Sequence, residues 1–300
     1  MRNLYLHQDR RLPRHAGRVL CTIWVVLAAL TSPVVDAETL DIPAQSDWTD
    51  HGWILDAGPN GSWDKYLNGM LTASVVKKNG VYYLYYGGAC CYSTPLASVT
   101  DRAIGVATST DGINFTKYSG NPVITFQPNN GDEEGAASSA VALDPNGQIV
   151  VYYGANTQES STTVTADGRM AVSSNGKGFT DKGIVLDHKD NSVWGHGDEL
   201  FPIIAFEDSG TWFQYYLPNG TSQGRKLGVA WGPSRTNFTN SGAARDGRTI
   251  DAWGVGGGAA KIGDGTYALF INDVRDPKTE VRTVSTSDPT TLSQPVEVYQ

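Results

Sequence analysis

Apolar and polar positions along this chain alternate in short stretches, and the same arrangement returns four times. Each return carries a glycine followed by an aromatic, strand-like run: Gly80-Val-Tyr-Tyr-Leu-Tyr-Tyr86, Gly147-Gln-Ile-Val-Val-Tyr-Tyr153, Gly210-Thr-Trp-Phe-Gln-Tyr-Tyr216 and Gly265-Thr-Tyr-Ala-Leu-Phe-Ile271. The glycines are 67, 63 and 55 residues apart. That spacing holds four strands with their loops and is too long for a leucine-rich or ankyrin unit. Small-residue stretches precede three of the glycines: Leu71-Thr-Ala-Ser-Val-Val76, Ala136-Ala-Ser-Ser-Ala-Val-Ala142 and Val255-Gly-Gly-Gly-Ala-Ala260. Strands that crowd round a central axis need such side chains, and radially repeated four-stranded sheets are the matching fold.

A second element repeats between the third and fourth strands. Ser109-Thr-Asp-Gly-Ile-Asn-Phe-Thr116 aligns with Ser173-Ser-Asn-Gly-Lys-Gly-Phe-Thr180, with looser copies at Pro233 to Thr239 and Ser287 to Ser293. Asp-Gly and Asn-Gly supply the positive φ of tight hairpins. Trp48-Thr-Asp-His-Gly-Trp-Ile-Leu55 also copies Phe179-Thr-Asp-Lys-Gly-Ile-Val-Leu186, which reads as a fourth, outer strand. An outer strand ahead of the first full cycle predicts ring closure by pairing with the C-terminal sheet. The fold class expected is therefore all-β, a β-propeller of four-stranded blades. Four complete repeats are visible, and the expected type is five-bladed with the last blade truncated.

Composition changes the picture at the N-terminus. Five arginines within Met1 to Arg18, an apolar run from Val19 to Leu30 and a small-residue site ending at Ala37 read as a secretory signal over 1–37. Twelve apolar residues span about 18 Å as a helix, short of the roughly 30 Å of hydrocarbon in a bilayer. The expectation is a single propeller domain over 38–300, secreted or periplasmic, monomeric and without a membrane partner. The net charge of −8 over the whole chain becomes −11 without those residues, so nucleic acid is an unsuitable partner. Cys90 and Cys91 are adjacent, either two thiols or a vicinal disulfide, and form no metal-binding pattern.

Ile104-Gly-Val-Ala-Thr-Ser-Thr-Asp-Gly-Ile-Asn-Phe-Thr-Lys117, followed by Asn121-Pro-Val-Ile124, resembles the glycoside hydrolase propellers of families 43, 32 and 130, as does Gly61-Ser-Trp-Asp64. The resemblance extends over residues 48–300. It implies a funnel lined by carboxyl groups at the starts of successive inner strands. One Asp would act as base or nucleophile, a second Asp would tune the acid, and a Glu would donate the proton. The family 43 positions for the two Asp fall near Thr72 and Ser138, so displaced carboxylates must serve: Asp64 before blade one, and Asp132, Glu133 and Glu134 before blade two. Glu199, in Gly195-His-Gly-Asp-Glu-Leu-Phe-Pro202, falls close to the family acid.

The expected catalytic set is Asp64, Glu134 and Glu199, with a carbohydrate as substrate. Trp63, Asp132, His196, Asp198, Asp251, Trp253, Tyr92 and Asn156 are the expected substrate-binding residues. No organic cofactor or metal is expected, a structural Ca2+ being the one ion left open. Two other functions fit the same residues: a non-catalytic carbohydrate-binding propeller, and a family 130-like phosphorylase. The latter needs a basic pocket, for which Arg102, Arg169 and Arg275 are the candidates.

Overall fold

The computed structural model describes residues 42, 45–67, 73–89, 102–125, 133–160, 163–197, 199–219, 226–245, 257–273 and 278–299. The expected signal segment, 1–37, and the cysteine pair lie outside them. Among the described residues there are four antiparallel sheets, one short 3-10 turn at Gln45–Asp47 and no helix long and apolar enough to cross a membrane.

Blade 1 contains β1 (Tyr66–Leu67), β2 (Ser74–Lys78), β3 (Val81–Ala89), β4 (Arg102–Ser109) and β5 (Thr116–Lys117). Its inner position is split, because β1 and β2 both pair with β3. Blade 2 runs β6 (Glu133–Leu143), β7 (Ile149–Ser160), β8 (Thr163–Ser173), β9 (Thr180–Leu186) in simple order. Blade 3 follows with β10 (Glu199–Asp208), β11 (Thr211–Asn219), β12 (Gly228–Gly232) and β13 (Asn240–Ala243). Blade 4 has β14 (Gly257–Gly263), β15 (Thr266–Asp273), β16 (Lys278–Ser285), β17 (Asp288–Leu292) and β18 (Val296–Tyr299), with β17 and β18 sharing the outer edge of β16. The inner strands β2, β6, β10 and β14 lie against one another round the axis. Each blade has an up-and-down order that returns the chain to the end where it began, so the inner strands run parallel and start at one rim.

The four glycine-aromatic runs are the second strands, as the spacing predicts. The tyrosine five places after the glycine does the same work in three of them. Tyr85, Tyr152 and Tyr215 are fully buried. Each donates its phenol proton to a backbone carbonyl of the next blade, in or just after the turn between its third and fourth strands. The acceptors are Gly176 at 2.9 Å, Arg235 at 2.9 Å and Pro289 at 2.8 Å. A second tie starts from the end of each inner strand. Lys78 donates to the Ser174 carbonyl at 2.5 Å, and Asp144 accepts from Arg235 at 2.6 Å. Asp208 accepts from Lys261 at 2.6 Å and from Thr286 at 3.3 Å. Apolar clusters fill the space around these bonds, such as Ile104, Val106, Ile149, Val151 and Tyr153 between blades 1 and 2. The turns of blades 1 and 2 are held as their sequences suggest. Gly112 and Gly176 sit at φ of 80° and 78°, and each donates its N–H to the serine three residues earlier.

Four blades are present among the described residues, where the sequence reading expects the five-bladed type. The segment before β1 accounts for part of this difference. Trp48 to Leu55 contains no strand and does not pair with the C-terminal sheet. A strand needs a free edge, and that of β16 is taken by β17 and β18. The segment's apolar residues pack on two sheet faces instead. Ile42 and Trp48 cover Ala268, Phe270 and Val281 of blade 4, while Ile54 and Leu55 cover Leu84 and Ala107 of blade 1. The tyrosine position in blade 4 is accordingly a phenylalanine, and Phe270 meets Trp48 edge-on with ring centroids 6.0 Å apart.

Tyr152→Phe should lower the unfolding free energy by about 1 kcal/mol, since it leaves the Arg235 carbonyl without its donor. Phe270→Tyr should change it by less than about 0.5 kcal/mol, as with surface substitutions, because no later turn offers its hydroxyl an acceptor among the described residues. Denaturant titration of both variants checks the pair. An equal effect at the two positions would contradict the latch.

Candidate active site

The segments that lead into the inner strands are each tied to their own blade. Before blade 1, Trp63 lies flat over two glycines. A Cβ at Gly88 or Gly105 would come within 2.5 or 2.6 Å of its ring. The ring stacks on Tyr86 at 5.6 Å. Tyr86 pairs in register with Gly105, so the missing side chain makes room for both rings.

Asp64 follows and is 4% exposed. Its Oδ1 accepts from Ser62 Oγ at 2.9 Å, and Oδ2 accepts from Lys117 Nζ at 2.6 Å and Tyr86 OH at 3.4 Å. Burial, with the Asp64 charge beside it, pushes the Tyr86 phenol well above its ordinary pKa and keeps it a donor. Asn121 completes this group, donating to Tyr86 OH at 3.1 Å and exchanging two hydrogen bonds with the Val106 backbone. Asp64 thus sits just before the blade 1 inner strand, but its carboxylate is directed to Lys117 on the outermost strand.

Blade 3 repeats the arrangement with a residue that sequence reasoning missed. Trp194 lies over Gly228, where a Cβ would come within 2.8 Å of the ring, and Gly228 is in register with Tyr216. Tyr216 OH donates to the Trp194 carbonyl at 2.8 Å. Ser241 Oγ accepts from Trp194 N at 2.8 Å and donates to the Ser192 carbonyl at 2.8 Å. The available signal was a tryptophan ahead of an inner strand whose blade has a tyrosine opposite a glycine.

The loop from Asp187 to Gly197 is made of consecutive turns. Asp190, Val193 and His196 donate their N–H groups to the carbonyls of Asp187, Asp190 and Val193. His196 is exposed, and its Nδ1–H donates to Val193 O at 3.1 Å. Gly195 and Gly197 adopt φ of 78° and 84°, the left-handed region that favours glycine. Gly197 N donates back to the His188 carbonyl at 2.7 Å. His188 is buried against Asp167 of β8, whose Oδ1 accepts from both the His188 backbone N at 2.8 Å and ring Nδ1 at 2.7 Å. Asp167, Asp187 and His188 are the group among the described residues that could hold a metal, their ligand atoms lying within 4.8 Å of one another. The short ring-to-carboxylate distance is that of a hydrogen bond.

Glu199 is half-buried, opens β10 and pairs with Asn219. Glu134 is the second residue of β6, next to Gly135, which pairs with Asn156 of β7. Because β6 and β10 are adjacent and parallel, positions 134, 156 and 199 share one rim. Asp132, Asp198, Asp251, Trp253 and Tyr92 lie outside the described residues. Of the basic candidates, Arg169 is bonded to Asp181. Burial raises the Asp181 pKa, but Arg169 and the Gly183 N–H outweigh it and leave the carboxyl below its ordinary value.

This architecture is a β-propeller, and solved structures that resemble it are propeller glycoside hydrolases of families 117, 43, 32 and 130. Zg3597, a family 117 glycoside hydrolase of the marine bacterium Zobellia galactanivorans, is 15% identical, with a TM-score of 0.58 over 78% of this chain and 72% of its own. An α-L-arabinofuranosidase of Clostridium thermocellum, CtGH43, is 16% identical, with a TM-score of 0.56 over 84% of this chain and 80% of its own. A structure from the GH130 family of mannoside phosphorylases, which also contains hydrolases of β-1,2 mannosidic linkages, is 16% identical, with a TM-score of 0.52 over 76% and 70%. No family model and no curated protein matches the chain.

Lys117→Met should destabilise the protein by about 2 kcal/mol. That is below the 3–5 kcal/mol for breaking a fully buried ion pair, because Lys117 is 30% exposed. Adding Asp64→Asn should recover most of the loss, read from denaturation midpoints. Non-recovery would mean that Lys117 acts through something other than Asp64.

Proposed function

We propose that this chain is an exported glycoside hydrolase that cleaves an oligo- or polysaccharide by paired-carboxylate catalysis. The observation that carries the proposal is that Glu134 and Glu199 stand at the starts of adjacent parallel inner strands. Cleavage of a glycosidic bond needs one carboxylic acid to protonate the leaving oxygen and one carboxylate on the opposite face of the sugar. Two such groups on neighbouring blades can flank one bond, although 65 residues separate them in sequence.

Glu199 takes the role of general acid. It is half-buried at the start of a strand whose next residue, Leu200, is fully enclosed. Glu134 takes the role of base or nucleophile, with Asp132 second in line. Asp64 joins them as the ionised carboxylate at the start of blade 1, where Lys117 balances its charge. Asn156 and His196 would bind sugar hydroxyls, and Asp198, Tyr92, Asp251 and Trp253 are proposed to do so as well. Trp63 supports the start of blade 1 by packing on Gly88, Gly105 and Tyr86. The likeness in fold to propeller glycosidases supports this reading. A phosphorylase is less well supported, because Arg169 is committed to Asp181.

A panel of aryl glycosides and of plant and fructan polysaccharides, assayed with the mature chain, tests the proposal. Glu199→Gln should lower kcat by about 10²–10⁴-fold on the substrate found, with binding retained. Saccharide binding without turnover on any substrate would replace the hydrolase with a carbohydrate-binding propeller.

A further inference from the structure

The hydrolase reading leaves one buried pair unused, Asp167 with His188. Asp167 is in β8 of blade 2 and is 9% exposed; His188 follows β9 and is 5% exposed. A buried carboxylate is costly unless hydrogen bonds compensate it. Here one oxygen, Oδ1, takes two donors from a single residue, the backbone N–H and the ring N–H of His188. Two bonds from one residue fix both the position and the orientation of that residue, which one bond cannot do.

The consequence passes along the backbone. The carbonyl of His188 accepts the N–H of Gly197 at 2.7 Å, closing the loop that contains Trp194 and His196. Gly197 is two residues before Glu199. On the loop's far side Val193 is buried with Leu186, Leu200 and Tyr216, and Trp194 is fastened to Ser241. The loop therefore has an apolar anchor and a hydroxyl anchor on blade 3, and one charged anchor on blade 2. Through the His188 carbonyl the charged anchor holds Gly197, two residues before Glu199.

We infer that Asp167 and His188 are positioning residues that clamp the 187–197 loop to blade 2 and thereby set where the carboxyl of Glu199 stands relative to Glu134. This rests on the hydrolase reading for its catalytic consequence, but not for its geometry. Blade 2 carries both Asp167 and Glu134, so the clamp measures the position of the blade 3 acid from the blade that supplies its partner. A shift of about 1 Å in such a group can lower turnover about 100-fold without touching the reacting atoms.

Asp167→Ala and Asp167→Asn in the full-length mature protein test the clamp, with His188→Phe as a second route should Asp167→Ala not fold. Asparagine keeps a carbonyl oxygen able to accept both His188 donors, whereas alanine keeps neither bond. Backbone hydrogen–deuterium exchange is expected to rise at least about tenfold in the 188–197 loop of Asp167→Ala and His188→Phe, with β11 and β15 unchanged. Asp167→Asn should remain close to wild type. On an active substrate, kcat should fall by about tenfold or more in Asp167→Ala while KM stays within about threefold, and Asp167→Asn should restore kcat. Wild-type exchange in the loop of Asp167→Ala would overturn the clamp. So would raised exchange with unchanged kcat. A wild-type protein inactive on all glycosides would overturn the hydrolase reading instead, and the exchange arm would still judge the clamp.

Discussion

The structure depends on a phenol placed between sheets. A propeller blade buries both of its faces against neighbours, and apolar packing alone would let one sheet slide over the next. The tyrosine five places after the glycine in blades 1, 2 and 3 removes that freedom, because a fully buried hydroxyl must find an acceptor and finds a carbonyl of the next blade. Between blades 1 and 2 that carbonyl is Gly176, in a turn held by the left-handed φ of Gly176 and its N–H bond to Ser173. Turn chemistry and interblade register are thus one device. The charged ties at the ends of the inner strands, Asp144 with Arg235 and Asp208 with Lys261, act at a second point and fix the angle between sheets.

A separate device holds the rim where a substrate would approach. Trp63 and Trp194 each use a glycine opposite a tyrosine as a socket, so the segments leading into blades 1 and 3 are fastened beside the strands they introduce. This bears on the chemistry. Side chains at the start of an inner strand can be held to fractions of an ångström only if the chain arriving there is itself fixed. Asp64, immersed among Lys117, Ser62 and Tyr86, belongs to that scaffold as much as to the proposed site. Its partners explain why a carboxylate can stand at this position without water.

Much of the fold was legible in the sequence because the repeat writes its period in glycines and tyrosines. All four second strands lie where those residues put them, as do the turns of blades 1 to 3, while Ser287 to Ser293 is largely strand β17. The number of blades and the fate of Trp48 to Leu55 were not legible, for a definite reason. A sequence motif specifies which residues are apolar and how far apart they are, but not whether a strand edge is free to receive them. Trp48 and Leu55 keep the burial that the motif implies, against Phe270 on one side and Leu84 on the other, and lose only the backbone pairing. Of the site, the glutamates opening β6 and β10 could be named from the repeat. Trp194 had a readable signal in the Tyr216 and Gly228 pairing that matches blade 1, whereas His188 and Asp167 could not be named, since their roles arise from contacts between segments with no shared pattern.

One residue departs from the repeat in a way that bears on the junction of blades 2 and 3. Four places after the glycine the blades carry Leu84, Val151, Gln214 and Leu269. Gln214 is fully buried, and neither atom of its amide has a hydrogen-bond partner among the described residues. Its neighbours across both strands are Ala205 and Ala230, small enough to leave the amide room. An unsatisfied buried amide costs about 1–3 kcal/mol, so this position weakens an interface where the other three strengthen theirs. The same junction is crossed by Tyr152 to Arg235 and by Asp144 to Arg235, while Asp167 to His188 ties blade 2 to the loop entering blade 3. Blades 2 and 3 are also the two that supply Glu134 and Glu199. Polar bonds with fixed geometry, which also cross the junctions of blades 1 and 2 and of blades 3 and 4, offset that loss here. For a pair of carboxyl groups whose separation decides whether they can act on one bond, directional contacts are the more exacting support.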